Sequence, residues 1–119
     1  MERLKSENVM LFPSRERICA ALLVHILENG GEDHAVLAGK TYQPLADHFG
    51  LSPSEREASR DRVYGDGRPE PAWHSAVQYA RRNLVSRGLV SRDGGVGVWM
   101  LTAAGVSEAQ ELRGREATA

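Results

Sequence analysis

One segment limits the possible folds more than any other. From Trp73 to Gly105 the chain reads WHSAVQYARRNLVSRGLVSRDGGVGVWMLTAAG, a two-faced helix running directly into a glycine-tipped hairpin. At 3.6 residues per turn, Trp73, Ala76, Val77, Ala80 and Leu84 share one stripe, while Ser75, Gln78 and Arg82 stand opposite. The stripe is the face to bury, and the opposite face is predicted to point outward. Gly88 ends the helix where a left-handed residue is easily accommodated. Leu89, Val90 and Ser91 then start a strand, and Arg92-Asp93-Gly94-Gly95 has the composition of a tight turn. On the returning strand Val96, Val98 and Met100 alternate with Gly97, Trp99 and Leu101, and a further helix is predicted from Thr102. This order is the second half of a winged helix-turn-helix. The predicted fold class is therefore mostly α with a small β-hairpin.

The remainder of the chain is consistent with that class. Residues 1–12 have no clear periodicity and read as an N-terminal arm; residues 13–113 form the domain, and residues 114–119 read as a frayed tail. Ser14 is placed to cap a first helix that runs to about Asn29, with Ile18, Cys19, Leu22, Leu23, Ile26 and Leu27 forming its buried face. Gly30-Gly31 stops it, and Glu32-Asp33-His34 reads as a turn. A second helix is predicted from about Pro44, with Leu45, Ala46 and Phe49 inward and Gly50 as its terminator. Ser52-Pro53-Ser54-Glu55 is a capping box with proline at the first helical position, so another short helix follows. Asp61 to Pro71 has no sustained apolar period and is predicted to be irregular.

Charge narrows the function. The net charge of −1 conceals a basic middle. Residues 56–92 hold eight arginines against four acids, a local +4, whereas residues 1–55 carry five basic and eight acidic residues and residues 93–119 two and four. Such a basic concentration around the outward helix is the footprint of a polyanion partner. With one cysteine, Cys19, inside an apolar run, no internal disulfide can form, and a reducing cytoplasm is the natural setting. The apolar run from Ile18 to Ile26 is too short to span a bilayer, so no membrane partner is expected. His25, His34, His48 and His74 lack metal-ligand spacing, and no phosphate loop, Ser-His-Asp order or catalytic carboxylate pair stands out. The sequence therefore predicts neither cofactor nor metal and no enzymatic activity.

The candidate contacts to double-stranded DNA follow from the helix and the hairpin. Ser75, Gln78 and Arg82 have the i, i+3, i+7 spacing that lets three side chains reach along a major groove. Gln and Arg each offer a two-pronged match to base edges, Gln to adenine and Arg to guanine. His74, Tyr79 and Arg81 flank that row as candidates for the phosphate and sugar backbone, and Arg68 precedes the helix where phosphate is commonly met. Arg92, Gly94 and Gly95 form the tip of the wing, small enough to carry one arginine into a minor groove. Arg60 and Arg62 are further phosphate candidates. Trp73 and Trp99 fall at packing positions and are assigned to the core.

From Ala20 to Gly105 the chain resembles the N-terminal winged-helix domain of Mrr-type restriction proteins, a family that restricts modified DNA. The residues that carry the resemblance are Gly67-Arg68-Pro69, Trp73, Val77, Tyr79-Ala80, Leu84, Gly88-Leu89-Val90 and the run from Gly97 to Gly105. The resemblance implies a non-catalytic DNA reader for a restriction or defence system, including readers of modified DNA, with the nuclease on another domain or subunit. Two alternatives remain open. One is a homodimeric transcriptional regulator, with the helix after Thr102 as its interface. The other is a winged helix that binds protein and no DNA.

Overall fold

The computed structural model describes residues 12–63, 69–92 and 97–118. Arg68, Gly94, Gly95 and the first eleven residues of the predicted arm lie outside the described residues. In chain order the elements are α1 (Arg15–Asn29), β1 (Ala35–Leu37), α2 (Tyr42–His48), α3 (Pro53–Glu57), β2 (Ser59–Val63), β3 (Pro69–Pro71), α4 (Ala72–Ser86), β4 (Val90–Ser91), β5 (Val98–Leu101) and α5 (Ala103–Thr118). Short 3₁₀ turns at Gly31–Asp33 and Ala38–Lys40 flank β1.

α1 starts where the sequence places it, because the Ser14 hydroxyl accepts the Arg17 backbone N–H at 3.3 Å. Its buried residues are Ile18, Cys19, Leu22, Leu23, Val24 and Ile26, and it packs against both α4 and α5. Complete burial of an aliphatic side chain contributes about 1.5–3 kcal/mol, so this face alone accounts for much of the core. α2 begins at Tyr42, two residues before the predicted start, and buries Leu45 and Ala46. The capping box of α3 is complete: the Ser52 N–H donates to Glu55 Oε1 at 2.7 Å, and the Glu55 N–H donates to the Ser52 hydroxyl at 3.2 Å.

α4 ends in a Schellman arrangement. The Leu89 N–H reaches the Leu84 carbonyl at 2.9 Å and the Gly88 N–H reaches Val85 at 3.0 Å, which requires the left-handed φ of 77° at Gly88. β4 and β5 then pair antiparallel with Val90 opposite Leu101. β1 adds to the other side of β5, with Val36 opposite Trp99, giving a three-stranded sheet in the order β1-β5-β4. The result is a mostly helical fold with a small three-stranded antiparallel sheet, an arrangement compatible with a winged helix.

Two expectations need correction, and one strand has no counterpart among them. The Asp61 to Pro71 stretch is not irregular throughout, since β2 and β3 form a second antiparallel ribbon with Ser59 opposite Pro71 and Val63 opposite Pro69. A two-stranded ribbon has only edges, so it tolerates prolines that would break a central strand, and it needs no apolar alternation. β1 was not foreseen, because three residues carry no periodicity. The predicted tail is helical through Thr118. At the other end Phe12, assigned to the arm, sets its ring edge-on to Trp73 with centroids 5.3 Å apart.

α5 is fixed at its start. Thr102 Oγ1 donates to the Gly88 carbonyl at 2.6 Å and accepts the Gly105 N–H at 3.0 Å. Its thin apolar face is occupied within the chain, with Ala109 fully buried and Val106 and Leu112 packed against the core. Part of the surface that the homodimer alternative would use is therefore taken up by packing within the chain, while Ser107 stays exposed.

Candidate nucleic-acid interface

α4 presents three sides, each meeting a different neighbour. Trp73, Val77, Ala80 and Leu84 form the inner side and are essentially inaccessible, as the helical spacing requires. The indole N–H of Trp73 donates to the Tyr42 carbonyl at 2.8 Å, which ties the first turn of α4 to the first turn of α2. The Ala72 N–H, one of the helix's unpaired terminal donors, bonds the Ala58 carbonyl at 2.8 Å. Trp99 is also buried, so both tryptophans belong to the core as expected.

On one flank His74, Gln78 and Arg81 follow one another at three- and four-residue steps. The imidazole of His74 stacks on the Tyr42 ring, with centroids 3.9 Å apart and planes 11° from parallel. Gln78 Nε2 donates to the Tyr42 hydroxyl at 2.9 Å. The Arg81 guanidinium lies 6.0 Å from the centre of the Trp99 ring, at the outer limit for a cation–π contact. Its Nε is shielded from solvent and has no hydrogen-bond partner among the described residues. All three side chains are partly exposed, so this flank is a polar strip that joins α4 to α2 and to the wing strand β5.

The other flank is built on Tyr79. Arg82, exposed, holds its guanidinium 5.2 Å from the Tyr79 ring centre, and Arg15 from the first turn of α1 approaches the same ring to 5.7 Å. Two cations thus stand beside one phenol. Arg15 escaped the sequence reading because its place beside α4 depends on helix packing. Tyr42 escaped it for the same reason, being thirty-six positions from Gln78.

Ser75 corrects the helical wheel. It was predicted to share the outward row with Gln78 and Arg82, yet it is only 4% exposed. α4 packs against α3 and β3 as well as against α1, and its first turns are enclosed on more than one side. A wheel treats everything opposite the core stripe as solvent, and that fails where a neighbouring element was not foreseen. Gln78 and Arg82 remain accessible, and Arg92 is exposed at the end of β4.

The arginines of the basic middle differ in what occupies them. Arg56 is committed to the fold: its Nη1 meets Asp47 at 2.7 Å and Gln43 at 3.2 Å, while its Nε donates to the Leu51 carbonyl at 2.9 Å. Arg87 donates to Asn83 Oδ1 at 3.1 Å. Arg60 and Arg62 fall on β2. Arg82 and Arg92 have no ion-pair partner among the described residues.

Cys19 does not belong to this surface. Its thiol is buried against α4, with Sγ 3.5 Å from the Ala80 carbonyl and 3.6 Å from Asn83 Oδ1. Burial pushes its pKa up, and the nearby Arg87 charge opposes this only in part. A thiol that must open the core to react is a poor nucleophile. In the native protein a thiol reagent will therefore modify Cys19 only as fast as the structure opens, against immediate reaction in denaturant. Equal rates in the two conditions would place the thiol at the surface.

Among the described residues no group of three or more His, Cys, Asp or Glu side chains is arranged to hold a metal ion, and no helix is long and apolar enough to cross a membrane. A family model described as the Mrr N-terminal domain matches residues 20–111, most of the chain. No curated protein and no solved structure matches it.

Proposed function

From the premise that this chain belongs to the Mrr N-terminal domain family, we propose that it is a non-catalytic reader of double-stranded DNA serving a restriction system. The observation that carries this reading is the pair of accessible flanks of α4. Gln78, Arg81 and Arg82 lie along a single helix, His74 continues the row, and Arg92 stands exposed at the start of the wing turn. In this reading α4 enters the major groove and the wing lies on the adjacent backbone or minor groove. Arg15, Arg82 and Arg92 set register on phosphates, while Gln78 inspects a base. The cleaving nuclease belongs to another domain or subunit.

Binding to a duplex of about twenty base pairs, followed by fluorescence anisotropy across a salt series, tests the proposal. With about five phosphates neutralised, the log–log slope of affinity against salt is about −4.5. Arg82→Ala lowers the affinity and flattens that slope by about one if Arg82 meets phosphate. Repeating the series with methylated adenine or cytosine asks whether the reader favours modified DNA. No binding to any duplex at low salt would overturn the proposal and favour a protein-binding winged helix.

A further inference from the structure

Tyr42 is held from several directions by groups of other elements. Its backbone carbonyl accepts the buried Trp73 indole N–H at 2.8 Å. Its ring lies flat on His74 at 3.9 Å and stands edge-on to Trp99, with centroids 6.3 Å apart and planes at 86°. Its hydroxyl accepts one N–H of the Gln78 amide at 2.9 Å. A partly exposed glutamine on a helix ordinarily samples several rotamers and turns its terminal amide freely. Here the nitrogen end of that amide faces the phenol oxygen, and the carbonyl end is thereby directed elsewhere.

We infer that Tyr42 is a positioning residue for base recognition, fixing the Gln78 amide in the orientation that reads an adenine edge in the major groove. This rests on the DNA-reading proposal above. An adenine presents an acceptor, N7, beside a donor, the N6 amino group, and a glutamine amide matches it with one N–H and its carbonyl oxygen. With one N–H spent on Tyr42, Gln78 retains just that pair. Guanine offers two acceptors, N7 and O6, and the retained carbonyl would oppose O6. The hydrogen bond to Tyr42 therefore favours A·T over G·C and spares the complex the loss of side-chain freedom that an unheld glutamine would suffer on binding.

The conservative variant Tyr42→Phe removes only the hydroxyl and retains the ring that stacks on His74. It is tested with duplexes in which each base is placed in turn at every position, alongside Gln78→Ala and the wild-type protein. Wild type will show one position at which adenine is preferred by roughly fivefold or more, the range a two-pronged contact supplies. Gln78→Ala will abolish the preference at that position. Tyr42→Phe will reduce it several-fold while preserving the thermal midpoint, the salt slope and the affinity for duplexes lacking the preferred base. A purely structural role for Tyr42 would instead weaken all sequences alike and lower the midpoint. Wild-type binding with no adenine preference, or a Tyr42→Phe protein with undiminished preference, overturns the inference and leaves DNA reading intact. Failure of the wild type to bind any duplex overturns both.

Discussion

Trp73→Ala will lower the unfolding free energy by about 3–5 kcal/mol, the usual range for truncating a buried large aromatic residue. The indole is 1% exposed and sits where α4 meets α2, with Phe12 and Phe49 edge-on to it at 5.3 and 6.2 Å. Truncation removes the whole ring and leaves a cavity in the core between α4 and α2. It also leaves the Tyr42 carbonyl without its 2.8 Å donor, which adds a desolvation cost when that group cannot reach water. A domain of this size has a margin of about 5–15 kcal/mol, so the variant stands near its folding threshold. Urea unfolding followed by circular dichroism measures the effect as a fall in midpoint. Trp73→Phe, which fills most of the space and loses only the N–H, should cost distinctly less. A loss below about 1 kcal/mol for the alanine variant would show that the site can collapse or that the ring is not central to the core.

Gly105→Ala will also destabilise the protein, although alanine replaces glycine within a helix. In an unobstructed helix that exchange is worth up to about 1 kcal/mol in favour of alanine. At Gly105, however, the added Cβ would fall on the Leu89 carbonyl oxygen and 2.9 Å from the Leu89 carbonyl carbon. Backbone cannot swing aside as a side chain would. That carbonyl is held by the Thr102 N–H at 3.0 Å, and the adjacent Val90 is paired with Leu101. α5 must therefore shift off the sheet, at a cost of about 1–3 kcal/mol or more. Gly114→Ala is the internal control on the same helix, because beyond its chain neighbours and the helix's own backbone no described atom lies within 4 Å of its Cβ position. Thermal denaturation of the two variants should move in opposite directions; a stabilised Gly105→Ala would mean that α5 and the Leu89 turn are not in close contact.

Much of the fold was legible because its signals are local. Ser14, the Ser52 capping box and Gly88 act on backbone groups within a few residues, so sequence order alone reveals them. The spacing of Trp73, Val77, Ala80 and Leu84 likewise identifies the inner side of α4 whatever packs on it. β1 was invisible because it is a strand only through its pairing with β5 across the sheet. The β2–β3 ribbon was hidden by prolines and charges that a free two-stranded ribbon tolerates. The candidate site was readable in part. Gln78, Arg81 and Arg82 lie on accessible sides of α4, whereas Ser75 is enclosed. Tyr42 and Arg15, which touch the same helix from α2 and α1, leave no mark in the sequence around it.

The place of β1 beside β5 also governs when the molecule can assemble. Sixty residues lie between Leu37 and Val98, which face each other in the ladder, and the remaining pairs of β1 are more distant still in sequence. During synthesis the N-terminal helices emerge long before their strand has anything to pair with. Closing so long a loop carries an entropic charge that grows as about (3/2)RT ln n and must be met before the strand contributes anything. A nascent chain halted before Val98 would keep Ala35–Leu37 as an open edge, a template for pairing with another such chain. The ribosome thus releases this domain from that hazard only when the final strand has left the exit tunnel.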